Sequence, residues 1–451
     1  MRLKAFLITA ACLMAMPAAA SAQDQPWLKD RRYTEGIGYR VGDLELHPGI
    51  AGEFGYDSNY LHRDDDSGSD ASLRLRITPS FSLSTLGKQR REQGAPPPDL
   101  EFRAGVAATY NEFFPVSGDA ATRSLMHDQR NVGGNLGLQL TVFPQNVWSF
   151  GLHGNLARSL TPADSGQTTS SFNRVLANVG GELIWTPGAG LFDWRLGYDF
   201  SGTIFEESDL GGLTNMEHTV STRGRWRFLP RTALLYSAKL GFINYPNPDG
   251  QNGKTGSHPL RALMGINGLV TNSFAVLALA GWGATFYTPR GQEDFDSLLA
   301  QAEVKWYLTP NPSSDPAAAT LSLSSIAVGF LRDFYDSYIG TYYERDRGYL
   351  NLSYFFGGKF LVVTEGGVAA IVYPPSVQLP NPSTDIRVDA SIFGEYRFKD
   401  SIGVNTTIRY GTNISDNALV TTTGTGAAAN TSRDSLQWQQ FEAYLGARWF
   451  M

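Results

Sequence analysis

Cysteine is nearly absent from this sequence of 451 residues, which contains it only at Cys12. A single cysteine cannot form an intramolecular disulfide, and a chain processed beyond it has no thiolate to act as a nucleophile or a metal ligand. Cys12 follows Thr9-Ala10-Ala11, so lipoprotein processing at this cysteine is an open alternative to removal of a longer leader. That alternative would leave only a handful of apolar residues ahead of the cleavage point.

The first 22 residues have the organisation of a secretory signal peptide. Arg2 and Lys4 form a short basic region, Phe6–Met16 is apolar, and Ala20-Ser21-Ala22 supplies small residues at a cleavage point before Gln23. The apolar run is too short for a membrane-spanning helix, which needs about 20 residues. The sequence therefore predicts a signal peptide over residues 1–22 and an exported protein.

Beyond this leader the sequence lacks any apolar run of the roughly 20 residues that a membrane-spanning helix requires. It is rich instead in glycine, with 48 residues, and in tyrosine, with 20. This composition argues against a helical membrane bundle. Strands of a closed barrel are then the remaining way for the chain to cross a bilayer.

A strong excess of positive charge is also missing. The chain has 37 basic and 43 acidic residues, and removal of Arg2 and Lys4 with the leader leaves 35 against 43, a net charge of −8. Nucleic-acid-binding proteins are typically basic, so we expect no nucleic-acid partner.

What the sequence does contain is a series of eighteen stretches in which apolar and polar residues alternate. They lie near residues 46–58, 70–85, 99–113, 126–142, 147–160, 172–186, 191–205, 215–229, 231–245, 259–271, 274–288, 295–309, 320–336, 340–356, 359–373, 384–398, 401–414 and 436–451.

These stretches are longer than the strands of soluble proteins, which average about 5–6 residues, and fit tilted strands that cross a bilayer. Short turns alternate with longer polar connections, as in outer-membrane barrels. The prediction is an all-β fold, a transmembrane antiparallel up-and-down β-barrel of about 18 strands, with 16 as the alternative count. The barrel spans residues 46–451, and residues 23–45 form a periplasmic lead-in segment. A soluble sandwich is disfavoured by the strand length.

The two faces of the predicted strands differ in polarity. In 191–205, Trp194, Leu196 and Tyr198 share one face, and Asp193 and Arg195 share the other. A lipid-facing arginine at the bilayer midplane costs about 2–4 kcal/mol, so the charged face must line the lumen.

We predict that charged residues line this lumen and that it favours anions, with Arg223-x-Arg225-x-Arg227 as the densest basic cluster. The alternative is that the charges pair into structural salt bridges. The residues that we predict to line the pore are Arg195, Arg223, Arg225, Arg227, Arg387, Arg397, Arg409, Glu217, Glu303 and Asp193.

Three segments resemble the β-barrel porin family of proteobacterial outer membranes. They are Gly55-Tyr56-Asp57-Ser58-Asn59, the stretch 329–338 (GFLRDFYDSY) and the stretch 342–347 (YYERDR). The resemblance covers about residues 37–451 and implies an outer-membrane barrel in a Gram-negative cell. Some members lie beside exopolysaccharide-synthesis genes, which implies a role in polysaccharide export. The family supplies no catalytic residues.

The last strand is similar to the C-terminal signature of outer-membrane proteins. Phe441, Leu445 and Trp449 alternate with polar residues, although Met451 stands where phenylalanine is usual. The resemblance implies recognition by the barrel-assembly machinery through this strand. The other expected partners are outer-membrane lipid, lipopolysaccharide, and small polar solutes or polysaccharide.

The function predicted from the sequence is a porin-like channel for passive passage of polar or anionic solutes, with no enzymatic activity, cofactor or metal. One alternative is an outer-membrane component of exopolysaccharide export. The second is an outer-membrane hydrolase using His153, although no nucleophile stands out beside it. The acidic run Asp64–Asp70 offers carboxylates for Ca²⁺, but their spacing departs from that of calcium loops, and a solvated charge run is favoured.

Overall fold

The computed structural model describes residues 38–64, 70–86, 98–159, 173–247, 254–288, 294–308, 324–376, 379, 381–399, 401–423 and 430–451. Its strands are β1 (Tyr39–Val41), β2 (Leu44–Asp57), β3 (Ser72–Thr85), β4 (Leu100–Pro115), β5 (Asn131–Val142), β6 (Trp148–Ser159), β7 (Arg174–Trp185), β8 (Phe192–Phe205), β9 (Asn215–Leu229), β10 (Thr232–Asn244), β11 (Gly256–Leu269), β12 (Phe274–Thr288), β13 (Phe295–Tyr307), β14 (Ser325–Asp336), β15 (Tyr342–Phe356), β16 (Phe360–Tyr373), β17 (Ser383–Lys399), β18 (Ile402–Ile414), β19 (Ala418–Thr423), β20 (Asn430–Ser435) and β21 (Trp438–Phe450). Within these described ranges, one α-helix, α1 (Ala120–Asp128), and two short 3₁₀ segments, Gly188–Gly190 and Ser208–Leu213, lie between strands.

Eighteen of these strands close into one antiparallel barrel. From β2 to β18 each strand pairs with the next along the chain, β18 pairs with β21, and β21 pairs with β2. The closing pair runs in register from Gly49↔Phe450 to Asp57↔Glu442. Each strand of the wall therefore has a hydrogen-bonded neighbour on both sides, as a barrel in lipid requires. The predicted fold class and the count of eighteen strands are confirmed.

The strands outside the barrel wall are short. β1 pairs with the first residues of β2, and β19 and β20 pair with each other in the connection between β18 and β21. The predicted signal peptide and most of the lead-in segment lie outside the described residues. The barrel wall itself begins at Leu44, two positions before the predicted boundary.

The predicted strand 126–142 begins too early, because a helix occupies its first residues. Asp119 caps α1 through its side chain, which accepts a hydrogen bond of 2.7 Å from the amide of Thr122. Such a cap satisfies one of the free amide groups at a helix start. The helix ends at Asp128, and β5 starts only at Asn131.

The two ends of the barrel differ in their connections. At one end the strands are joined by tight turns such as 230–231, 270–273 and 357–359, and we call this the short-turn end. At the other end lie longer connections such as 206–214 and 415–437, and we call this the long-loop end. The alternation of turns and loops expected from the sequence is confirmed.

The outer face of the barrel is apolar. Along β8, Leu196 and Tyr198 are 43% and 49% exposed, and Val328 and Phe330 on β14 are 57% and 42% exposed. Successive side chains of a strand point to opposite faces, so the polar residues between them lie on the interior side. Across the described residues, no helix has the length and hydropathy needed to cross a membrane.

The seam that closes the barrel is held by buried polar contacts on the inner face. Arg76 pairs with Glu53 at 2.8 Å, and both side chains are 3% exposed. Arg74 pairs with Asp57 at 2.9 Å. Buried charges are tolerated when paired and hydrogen-bonded. This part of the interior is therefore packed protein rather than open lumen.

Candidate functional site: the barrel lumen and its outer mouth

A cluster of charged residues lies on the inner face of β7, β8 and β9. Glu182 accepts a bond of 2.8 Å from Arg195 and a bond of 2.6 Å from Arg223. Asp193 lies 3.0 Å from Arg195 and 3.9 Å from Arg225. The Arg223 side chain is 41% exposed, so it combines an ion pair with access to water in the lumen.

The basic residues continue along this wall onto β10 and β11. Lys239 lies directly across from Arg261 in the register of these two strands. Arg261 pairs with Asp333 at 3.1 Å, whereas among the described residues no carboxylate forms an ion pair with Lys239. Arg227 lies nearest the short-turn end, and its amide donates to Leu191 O at 2.9 Å. We call the basic side chains on the inner faces of β8 to β11 the basic stripe: Arg195, Arg223, Arg225, Arg227, Lys239 and Arg261.

The predicted lining residues on β17 and β18 have a different environment. Arg397 and Arg448 both donate to Glu395 at 2.6 Å, and the Glu395 side chain is fully buried. Arg409 lies 3.3 Å from Glu442. β17 is nine strand positions from β8 in the eighteen-strand circle, so this wall faces the basic stripe. The arginines of this wall are largely buried in ion pairs, in line with the alternative that such charges form structural salt bridges.

The remaining predicted residues also lie on the inner face. Glu303 accepts from the hydroxyl of Tyr349 at 2.8 Å and lies 3.3 Å from Lys305. Glu217 accepts from Thr219 at 3.0 Å. Arg387 lies over the ring of Trp438, 5.7 Å from its centroid.

At the long-loop end, the connection 337–341 between β14 and β15 reaches across the mouth. The ring of Tyr338 packs edge-on against Phe205 at the end of β8, with centroids 5.8 Å apart. The adjacent Ile339 is 3% exposed in an apolar cluster with Leu379 and Leu436. These two leucines belong to the connections after β16 and before β21, on the side of the hairpin away from β8. Because two neighbouring residues contact loops on opposite sides, this connection narrows the mouth.

The same connection is tied to the loop between β10 and β11. Lys254, whose side chain is 2% exposed, lies 3.3 Å from a carboxylate oxygen of Asp336 and donates to the carbonyl of Ser337. The hydroxyl of Tyr245 donates to the same carboxylate. Burial lowers the pKa of Lys254, and the Asp336 carboxylate acts in the opposite direction. These mouth residues were not predicted from the sequence, in which the apolar Tyr338-Ile339 pair inside a short polar connection is the one available signal.

The surroundings of His153 give little support to the alternative that the protein is a hydrolase. The ring of His153 hydrogen-bonds to Asp199 at 2.6 Å, and among the described residues no serine hydroxyl bonds to that ring. A catalytic dyad without a nucleophile does not make an acyl-transfer site. The described part of the chain also contains no group of three metal-ligating side chains.

The acidic run considered for Ca²⁺ falls mostly on residues 65–69, outside the described residues. Asp70, at its end, is fully buried and accepts from the amide of Leu61 at 2.9 Å. Burial raises the pKa of Asp70. This carboxylate therefore holds the first loop in place.

Comparison with known proteins gives structural neighbours only. No protein-family model and no curated protein matches the chain. OpdK from Pseudomonas aeruginosa, solved with vanillate, superposes with a TM-score of 0.46 at 8% identity, over 91% of this chain and all of that one. A BenF-like porin from Pseudomonas fluorescens gives 0.46 at 9% identity over the same shares. The siderophore receptor PirA from P. aeruginosa gives 0.41 at 10% identity, over 92% of this chain and 81% of that one.

The assignment of the barrel rests on the chain's own hydrogen-bonded register. Neither that register nor the comparisons support a link to exopolysaccharide.

Proposed function

We propose that the protein is an outer-membrane channel for the passive passage of small polar or anionic solutes. The observation that carries the proposal is the contrast between the two faces of one closed barrel, apolar outside and ionic inside. Large apolar surfaces on soluble proteins are rare and mark contact with a partner or a membrane. An apolar outer face around eighteen antiparallel strands fits lipid, and the ionic interior fits a hydrated path.

The anion preference is proposed from the basic stripe on β8 to β11. Arg223 and Arg225 are 41% and 28% exposed at their side chains, and Lys239 lies between Arg223 and Arg261. Rings and rows of arginine and lysine lower the barrier for anions in a pore. The buried arginines on β17 and β18 stabilise the wall and are not proposed to contact solutes.

The rest of the export route is proposed with this function. Residues 1–22 direct export and are removed, and residues 23–45 lead into the barrel from the periplasm. The short-turn end then faces the periplasm, and the long-loop end faces lipopolysaccharide and the medium. β21, the strand that closes the barrel, is the proposed contact with the barrel-assembly machinery. The channel carries out no chemical step and needs no cofactor.

The test is the conductance and ion selectivity of the purified protein in planar bilayers. Under a salt gradient, the wild type should conduct, with a reversal potential on the anion-selective side. The triple variant Arg223→Gln, Arg225→Gln, Arg227→Gln should shift that potential towards cations. Arg158→Gln is the control, because Arg158 pairs with Glu206 on the outer face. A protein that inserts but never conducts would refute the channel function.

A further inference from the structure

The wall of the barrel is interrupted between β13 and β14 at the long-loop end. Their register runs from Tyr307↔Ser325 to Ala300↔Arg332 and stops there. Both strands continue beyond this point, as Phe295–Leu299 and Asp333–Asp336. β13 remains paired with β12 up to Phe295, and β14 remains paired with β15 up to Asp336. Each hairpin is therefore intact, and only the seam between them is open.

The seam is open because the end of the β14–β15 hairpin is folded into the barrel. Phe334 has the same parity as the outward-facing Phe330, yet it is only 2% exposed. Its ring lies 4.3 Å from that of Phe295, and the guanidinium of Arg261 lies 4.0 Å above it. Phe295 and Arg261 are on the inner face of β13 and β11. The outer face of the hairpin end thus packs against the inner face of the neighbouring wall.

A second residue of the same face confirms this arrangement. The ring of Tyr342 packs edge-on against Phe295, with centroids 5.0 Å apart, and stacks on Tyr287 of β12 at 6.3 Å. We call residues 333–344 the hairpin end.

Arg332 lies at the point where the seam opens. Its Nε donates to the carbonyl of Leu298 at 3.1 Å, and an Nη donates to Ser297 Oγ at 3.1 Å. The same guanidinium pairs with Glu344 at 2.6 Å and Asp346 at 2.9 Å. An unpaired backbone carbonyl costs free energy in an apolar setting, and this arginine supplies a partner that a neighbouring strand would otherwise provide.

We propose that the hairpin end is a lid on the channel, docked across the mouth in this structure and able to swing out until β14 pairs with β13. This inference rests on the proposed channel function. Continuing the existing register would place Leu298 opposite Phe334 and add four pairs, which is about 13 Å of ladder at ~3.3 Å per residue. Phe334 would then share the lipid-facing side with Phe330. The swing would also carry Tyr338 away from Phe205 and clear the mouth.

The docked position has its own contacts, so the two states compete. Undocking exposes the apolar surface of Phe334, Phe295 and Tyr342 and separates Lys254 from Asp336. Swinging out returns backbone hydrogen bonds to the seam and places Phe334 against lipid. Closed ladders and apolar outer faces are what a barrel in lipid favours.

The test uses two cysteine pairs that share Phe334→Cys. Phe295→Cys with Phe334→Cys joins residues in contact in the docked state, and Leu298→Cys with Phe334→Cys joins residues that meet only in the swung-out state. The described residues contain no cysteine, so no other thiol there competes. Disulfide formation is read by mass spectrometry and conductance by planar bilayer recording.

We expect both pairs to oxidise. The 298–334 disulfide should raise the conductance roughly twofold or more, because it removes the obstruction from the pore, and the 295–334 disulfide should hold it at its lower level. A reductant should reverse both effects, and Phe334→Cys alone serves as the control. If the 298–334 pair fails to oxidise, the lid does not swing. If it oxidises without changing the conductance, the hairpin moves but is not a lid. Absence of conductance in every variant, with both disulfides formed, would refute the channel function instead.

Discussion

Arg223 donates to Glu182 at 2.6 Å on the inner face of the barrel, and its side chain remains 41% exposed. Glu182 therefore neutralises part of the basic stripe without burying it. We predict that Glu182→Gln increases the anion preference of the channel, because Arg195 and Arg223 lose a shared counter-charge. The measurement is the reversal potential under a salt gradient. Glu206→Gln, which breaks an ion pair with Arg158 on the outer face, should leave it unchanged.

Breaking the buried pair at the closing seam should destabilise the barrel. Glu53→Ala leaves Arg76 buried without its carboxylate, which typically costs about 3–5 kcal/mol. We expect a lower free energy of unfolding in denaturant titrations of the detergent-solubilised protein. The double variant Glu53→Ala, Arg76→Met should recover part of the loss, because it removes the buried charge as well. Equal stability of Glu53→Ala and the wild type would contradict the role given to this pair.

Gly55 and Gly52 on β2 provide a matched pair for testing the closing seam. A Cβ at Gly55 would collide with the carbonyl of Ala443 and the ring of Tyr444 on β21, whereas a Cβ at Gly52 would meet nothing within 4 Å. Overpacking of this kind costs about 1–3 kcal/mol. We predict that Gly55→Ala lowers the denaturant midpoint of unfolding and that Gly52→Ala does not. The same result for both variants would show that β2 and β21 do not approach as described.

Docking of the hairpin end should depend on pH through Lys254. Burial lowers the pKa of this lysine in the docked state, and in water it returns to about 10.4. The docked state therefore binds the proton less tightly, and raising the pH favours docking, by at most about 1.4 kcal/mol per pH unit. The raised pKa of Tyr245 acts in the opposite direction only near pH 10 and above, where the free phenol ionises.

The channel should accordingly spend less time in its higher conductance level as the pH rises from the lowered pKa of the docked lysine towards about 10, near the pKa of a free lysine. Recordings of single channels at stepped pH measure this directly. In Lys254→Met the dependence should disappear. An open fraction that rises with pH in the wild type would contradict the assignment.

The sequence predicted the barrel wall closely and the mouth poorly. The predicted strands 215–229 and 274–288 agree with the observed bounds of β9 and β12, because alternation of polarity is imposed locally by lipid on one side and water on the other. Helix α1 was missed because nine polar-rich residues within a loop carry no strong apolar period. Its cap at Asp119 is a short-range contact that only the structure displays.

The interior contacts depend on register, which the sequence does not encode locally. Arg397 was predicted as pore-lining together with Arg223, yet Arg397 is paired with a fully buried Glu395 and Arg223 is not comparably buried. The inward fold of the hairpin end was not predicted either, since apolar and polar residues alternate along β14 up to Phe334 as they do in the neighbouring strands. Its docking is decided by Phe295 and Lys254, which are distant in sequence.

Spin labelling along β8 tests the central claim, a barrel with lipid outside and water inside. Single labels at positions 194 to 199 are compared for collision with oxygen, which concentrates in lipid, and with a water-soluble nickel chelate. We predict that accessibility alternates with a period of two residues, with Trp194, Leu196 and Tyr198 accessible to oxygen and Arg195, Gly197 and Asp199 accessible to the chelate. Equal accessibility at neighbouring positions would contradict it.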